Sequence, residues 1–558
     1  MNKTFSAYLL TALAAGVCAG QADACTSLIA APGATESGSS MITYAADSHV
    51  LYGELYEKQG GKHAPGTMRP IVDWDTKVVR GEIPEAPVTY NRIGNMNEHG
   101  VTIAESTWAC KPELEGSGMI DYGSLIYIAL ERAKTAREAL DIMTDLANRY
   151  GYASEGESFS IADPNEVWIL EMVGKGKDDP GAVWVARRIP DNAISGHANH
   201  PRIHKFPLKD KNNTLYSKDV IKFARKMGYF DGKDEDFDFS RAFAVYDFGA
   251  LRGCDARVWA YFNKFASEGA MDEYLPWITE GLGEPMPLWI IPEKKLTSND
   301  LKWMMRDHYE GTPLDMTNDI GAGPFDVPYR WRPMTYTVDG NEYTHERAIA
   351  TQQTGFSFVA DMNKNRPDAM KGILWFGCDD ANTSVYIPIF NSTVTAPYEV
   401  KEGNGDMLTL SWDALFWVNN YVTNQAYNRY SQMIPDIRAV QTSLETDVEK
   451  AVSDAAEEVA GMEYAAQAAI LDALSKQWAT KVTKDYKQLG DFLFVRYMDG
   501  NIKPVNEDGT FKRTETGVPA NPAWGGYNDR YYRSIVNEQG DRLKVVDVPQ
   551  TNTPVNKK

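Results

Sequence analysis

The 558-residue sequence predicts a mixed α+β fold, and two observations carry that prediction. From residue 25 to about residue 390, short runs rich in β-branched and aromatic residues are punctuated by Gly, Pro, Asp and Asn, the pattern of strands and turns. Beyond about Gly405, apolar residues recur at three- and four-residue steps, the pattern of amphipathic helices. The chain reads as one large unit of strands and helices followed by a helical segment, with no internal repeat.

The first 24 residues fit a secretory signal peptide. Lys3 supplies a basic start, residues 8–15 form an apolar core too short to span a bilayer, and Ala22-Asp23-Ala24 is an A-x-A cleavage site. The expectation is an exported protein, periplasmic or extracellular. No later stretch reads as a membrane helix, so no integral membrane segment is expected in the mature chain.

Residues 125–150 carry helical apolar spacing with good helix formers. Residues 157–174 read as a hairpin, with Asp163-Pro164-Asn165 as its turn, and "AVWVARRI" as a third strand. Residues 372–390 repeat the hairpin pattern around Asp379 to Asn382. Further on, "LSWDALFWVNNYVTNQAYNRYSQM" and residues 444–478 read as helices, the second with Val448, Val452, Ala455, Val459 and Met462 on one stripe. Segmented this way, residues 1–24 are the signal, 25–404 the main domain, 405–504 a helical extension and 505–558 a polar tail with a loose end.

The formal net charge is −20. Such acidity argues against nucleic acid or an anionic membrane surface as a partner. Cys18 leaves with the signal, and the remaining Cys25, Cys110, Cys254 and Cys378 are too few and too scattered for a disulfide framework. One disulfide is possible and its pairing is open. Nothing in the composition assigns an oligomeric state.

The stretch "ADACTSLIA" holds the sharpest chemical signal. Cleavage after Ala24 places a free α-amine and a thiol on one residue, Cys25. The thiolate is the nucleophile, and an ordinary thiol is mostly protonated at neutral pH, with a pKa of about 8.5. An α-amine titrates near about 7.7–8.0, so it accepts the thiol proton directly or through one water. Two other readings compete. A lipoprotein would use the same cysteine, but a lipobox wants a large aliphatic residue where Ala22 stands, and lipidation would occupy both thiol and amine. A chance cysteine near the cleavage site is the other.

The residues after Cys25 resemble a known family. "CTSLIAAPGATESGSSMITYAADSH" is similar to the start of the dipeptidases of peptidase family C69, N-terminal-nucleophile hydrolases related to choloylglycine hydrolases and penicillin V acylases. Gly38-Ser39-Ser40 and Asp47 match that pattern. "GNMNEHGVTIAEST" resembles the family's Asn-Glu-x-Gly strand, "ISGHANHPRI" the segment of an active-site Asn, and "LRGCDARVWAYF" the segment of a site arginine. "SIADPNEVWILE", "MMRDHYEGTP" and "LWFGCDDANTSVYIPIF" look like the dipeptidase branch. The resemblance runs, with gaps, to about Met433.

The resemblance implies an αββα sandwich: two antiparallel sheets covered by helices, with a helical C-terminal extension. It implies amide hydrolysis by Cys25, with Asp47 orienting the α-amine, Asn199 and the Thr107 position at the oxyanion, and Arg257 as the site arginine, with Arg252 its rival. Its substrates would be dipeptides or short peptides, with Glu98, Glu105 and Arg257 as candidates for the charged substrate ends. Tyr44 stands where many relatives have arginine, so another cation substitutes or the substrate preference differs. An acylase of bile-salt or penicillin type keeps the fold, with Trp108 and Trp259 available to line an apolar pocket. A non-catalytic, lipid-anchored binding protein is the alternative from another class.

No cofactor or metal is expected. Pro201 breaks any helix through His197, His200 and His204, so their spacing does not place them on one helical face. "DGKDEDFDFS" lacks the Gly and terminal Glu of an EF-hand. No phosphate-cradling Gly loop precedes a basic residue.

Overall fold

A computed structural model of the chain describes residues 25–548. The expected signal peptide and the loose last ten residues lie outside the described residues. The elements that build the site are strands β1 (Ser27–Ala30), β2 (Ser40–Asp47), β3 (Thr102–Trp108), β4 (Gly156–Ala162), β5 (Val167–Gly174), β6 (Ala182–Arg188), β7 (Ile194–His197), β8 (Thr354–Met362), β9 (Gly372–Cys378) and β10 (Ile387–Phe390). The helices are α1 (Tyr122–Arg132), α2 (Ala136–Tyr150), α3 (Ala256–Phe265), α4 (Leu415–Asn428), α5 (Tyr430–Val459) and α6 (Tyr464–Tyr497).

Two antiparallel sheets stack face to face. The first runs Trp289–Ile290, β7, β1, β2, β8, β9, β10, and the second runs Thr214–Tyr216, β6, β5, β4, β3 and three short strands. β2 packs across β3 and β4, which brings the two sheets together. Strand alternation then sorts the side chains. Val167, Ile169 and Val173 of β5 join the core shared with the first sheet, while Trp168, Leu170 and Met172 join the core under α1 and α2. His197 of β7 accepts or donates across the interior to Ser106 of β3 (2.6 Å) and Ser160 of β4 (2.8 Å), tying the sheets by a buried polar link. Burial holds this histidine neutral, with its pKa down at about 3.

The outer layers are helical. α1 and α2 cover the second sheet, and α4, α5 and α6 lie on the far side of β9 and β10. The helices beyond residue 405 are thus the covering layer of the first sheet, and their buried residues belong to the same core as Cys25. The architecture is α+β, an αββα sandwich.

Four sequence expectations are corrected in detail. The helix expected over 125–150 is two helices, because Thr135 accepts a hydrogen bond from the backbone of Glu138 and N-caps α2. The helices expected beyond residue 405 divide at Arg429 and again after Val459, where Gly461 adopts φ +76°. The stripe Val448, Val452, Ala455 and Val459 is buried as expected, but Met462 falls past the helix end and is exposed. The polar tail carries a helix, Asp529–Gln539, tethered by Asn528 to Asp326 (2.8 Å) and by Arg530 to the carbonyl of Thr317 (2.8 Å).

Candidate active site

Sheet register assembles the site. β1 and β7 pair with Ser27 opposite His197, so two residues further along each strand line Cys25 lies beside Asn199. Thr26 bridges Ala45 of β2, which places Asp47, at the end of that strand, next to Cys25 on its other side. Residues separated by more than 150 positions converge because three antiparallel strands end together.

Cys25 is buried at 4 % exposure, and its thiol sits 3.4 Å from Glu105 Oε1 and 3.7 Å from the Tyr44 hydroxyl. Tyr44 donates a short hydrogen bond to the same Glu105 oxygen. Burial raises the thiol pKa well above its ordinary value, and the nearby Glu105 and Asp47 charges push in the same direction. The resting thiol is therefore protonated and needs a base.

Arg257 of α3 fixes the backbone of the nucleophile. Its Nη1 donates to the carbonyl of Cys25 and to Thr26 Oγ1, both at 2.7 Å. Its Nη2 donates to the carbonyl of Ala198 (3.2 Å) and to Asn199 Oδ1 (2.9 Å). Nε donates to the carbonyl of Gly253 (2.8 Å), in the π-helical turn that precedes α3. The side chain is 1 % exposed and does not line the cavity. Arg257 is a clamp on the nucleophile and on Asn199, not an open partner for a substrate carboxylate. Its rival, Arg252, is ion-paired with Glu346.

Asn199 sits in the left-handed region at φ +56°, a conformation that asparagine tolerates better than most residues. Its Nδ2 donates to the carbonyl of Thr107 (2.6 Å), while Arg257 holds its Oδ1. This fixes which end of the amide faces β3. The Thr107 hydroxyl donates to Glu157 Oε1 (2.7 Å). Asp47 accepts from Arg347 Nη2 (2.5 Å) and from Thr354 Oγ1 (2.7 Å). Arg347 thus brings a cation to the site that lacks arginine at position 44, from a segment 300 residues away in sequence.

Glu105 and Glu157 form a pair of buried carboxyls. They lie on the same face of adjacent strands, since Thr107 is opposite Glu157 and Glu105 opposite Phe159. Burial raises Glu105 to about 7 and lifts Glu157 further, because the Glu105 charge lies beside it. Both shifts favour a proton retained within the pair.

A cavity of about 300 Å³ opens from Cys25. Tyr44, Tyr52, Trp74, Tyr122, Tyr127 and Phe356 give it aromatic walls, and its charged lining is Asp47, Glu54, Asp75, Glu105 and Lys77. Trp74 reaches α1 because residue 123 is glycine, where an added Cβ would lie 2.6 Å from the indole side chain. Trp108 and Trp259, expected as possible pocket walls, are instead core residues with 1 % exposure outside this lining.

The remaining sequence candidates lie elsewhere. Glu98 binds Asn91 and lines a different cavity with His99. His197 links Ser106 and Ser160, His200 pairs with Asp255 (2.9 Å), and His204 pairs with Asp238 (2.9 Å). Among the described residues no three His, Cys, Asp or Glu side chains are grouped to hold a metal ion. Cys25, Cys110, Cys254 and Cys378 are free thiols. Among the described residues no helix is long and apolar enough to cross a membrane. Arg347, Thr354, Trp74, Tyr122 and Glu157 escaped sequence reasoning. For Glu157 a signal existed, since pairing the strands at 102–108 and 156–162 places it across from Thr107.

On the αββα sandwich, then, a buried thiol with its backbone clamped beside an oriented amide lines a cavity. Comparison with known proteins gives the family. Residues 62–443 match the family model for peptidase family C69, and the chain belongs to that family of peptidases. The match covers Thr107, Asn199 and Arg257 and begins downstream of Cys25 and Asp47. The chain is 24% identical over 391 residues to a probable dipeptidase of Latilactobacillus sakei, covering 66% of this chain and 74% of that protein. It is 24% identical over 407 residues to a probable dipeptidase of Salmonella dublin, covering 70% and 84%. It is 24% identical over 467 residues to a dipeptidase of Bifidobacterium longum, covering 73% and 80%.

Proposed function

We propose that this peptidase is an exported cysteine dipeptidase in which removal of residues 1–24 makes Cys25 the N-terminal nucleophile. The observation that carries the reading is the position of the Cys25 thiol, lining the cavity and 3.4 Å from Glu105, with Arg257 holding its own carbonyl. The dipeptidase relatives support the substrate class.

The proton path follows from relative acidities. A buried thiol raised above its ordinary pKa does not ionise by itself, and an α-amine near about 7.7–8.0 is the weaker acceptor in the resting state. The thiol proton therefore passes to the Cys25 amine as sulfur attacks the scissile carbonyl carbon, so charge builds only where it is stabilised. The new S–C bond leaves the carbonyl oxygen negative. Its stabilisation is assigned here to N–H donors of the Asn199 amide and of the backbone near Thr107, and removing one such donor costs about 2.7–4 kcal/mol of barrier. The C–N bond then breaks, the leaving amine takes the proton back from the Cys25 ammonium, and a thioester remains. Water attacks the thioester with the same amine as base, releasing the acid and restoring the thiol. Asp47, held by Arg347 and Thr354, is the carboxylate that orients the amine.

The test is turnover of free dipeptides by the purified exported protein and by Cys25→Ala. Hydrolysis by the wild type and none by the variant supports the reading. Faster hydrolysis of N-acylated amino acids than of dipeptides would move the assignment to an acylase, and full activity in Cys25→Ala would remove the nucleophile.

A further inference from the structure

We propose that Glu105 is the subsite for the free α-ammonium of the substrate, so that the enzyme recognises the N-terminal residue and cleaves the bond that follows it. The inference rests on the dipeptidase reading and names the group that would give it specificity.

Covalent geometry sets the requirement. In a substrate with a free N-terminus, the ammonium nitrogen is two bonds from the scissile carbonyl carbon. That carbon must approach the attacking sulfur to about 3–3.5 Å. A carboxylate that pairs with the ammonium must therefore lie within roughly 8 Å of the nucleophile. Glu105 Oε1 is 3.4 Å from Cys25 Sγ, and Glu105 lines the cavity.

The other carboxylates fit less well. Asp47 is engaged by Arg347 and Thr354, and Asp75 accepts from Tyr122 at 2.9 Å. Among the described residues no lysine, arginine or histidine is ion-paired with Glu105, whose hydrogen-bond partners are Tyr44, Cys25 and the neighbouring carboxyl of Glu157. A buried carboxylate in that condition is unfavourable unless a cation arrives. A substrate ammonium supplies the opposite charge. Tyr44 donates to Glu105 without adding a permanent cation that would compete.

The test uses a matched pair of substrates, an alanyl amino acid and its propanoyl isostere, which differs only by lacking the amine. The wild type should hydrolyse the alanyl substrate faster by on the order of 100-fold or more in kcat/KM, since sites built to bond a polar group reject analogues without it. Glu105→Gln should bring that ratio within a few-fold of one, and Glu105→Asp should retain part of it. A Glu105→Gln variant that keeps the wild-type ratio overturns the inference. So does an equal loss on both substrates in a folded variant, which would tie Glu105 to the thiol or to the Cys25 amine. If the wild type hydrolyses neither substrate, the dipeptidase reading fails instead, which separates the two outcomes.

Discussion

Arg257 holds Cys25 by the nucleophile's own carbonyl, with Nη1 2.7 Å from that oxygen and 2.7 Å from Thr26 Oγ1. The same guanidinium reaches Asn199 Oδ1 at 2.9 Å. One planar group thereby sets the distance between the attacking sulfur and the amide proposed to stabilise the oxyanion.

Lysine cannot reproduce that fork. Arg257→Lys should lower kcat by about 10- to 100-fold with a smaller change in KM, as expected when positioning rather than binding is lost. It should also destabilise the fold by about 2–4 kcal/mol, because buried acceptors lose their donors. Steady-state kinetics and urea unfolding of the same variant check both numbers.

Cys25→Ala should lower dipeptide turnover by at least about 1,000-fold, the scale of losing a nucleophile that works as a unit with its base. Its melting temperature should stay close to wild type, since the side chain donates only to Glu105 and Tyr44. Turnover and thermal unfolding are measured together.

Asn199 has two properties that separate by substitution. Asn199→Gly keeps the φ +56° backbone and removes the amide, whereas Asn199→Ala removes the amide and adds left-handed strain of about 1–2 kcal/mol. Both should lose about 100- to 1,000-fold in kcat. Only the alanine variant should show the added strain in its unfolding free energy.

Glu105 makes stability depend on pH. Its pKa is about 7 in the folded protein against an ordinary 4.5, so between those values the native state binds more protons than the unfolded chain. The contribution is complete below 4.5 and is lost as pH rises through 7. Glu105→Gln should therefore gain stability relative to wild type on moving from pH 5 to pH 8. Glu171, at about 8, and Asp379, at about 7, slope the same way in both proteins and cancel in the comparison. Denaturant unfolding at the two pH values gives the difference directly.

Period-two alternation and turn residues located the hairpin at 156–174, and helical spacing located the stripe from Val448 to Val459. These signals are local, so they survive without tertiary information. Where helices divide was harder to see, because Thr135 and Gly461 act through single hydrogen bonds and one positive φ. Motifs in order along the chain picked out Cys25, Asp47, Asn199, Thr107 and Arg257, which the fold brings close together. Arg347 was not, since only the folded sheets bring it to Asp47. Glu105 was one candidate of three for a substrate end, and distance to the thiol separates it from Glu98 and from the buried Arg257.

The central claim is that cleavage after Ala24 creates the catalytic base on the nucleophile itself. Intact mass and N-terminal sequencing of the active, exported protein test it most directly. The account predicts a chain beginning at an unmodified Cys25, with activity appearing only in that form. An active protein that begins at Gln21, or one carrying a diacylglyceryl group on Cys25, would contradict it.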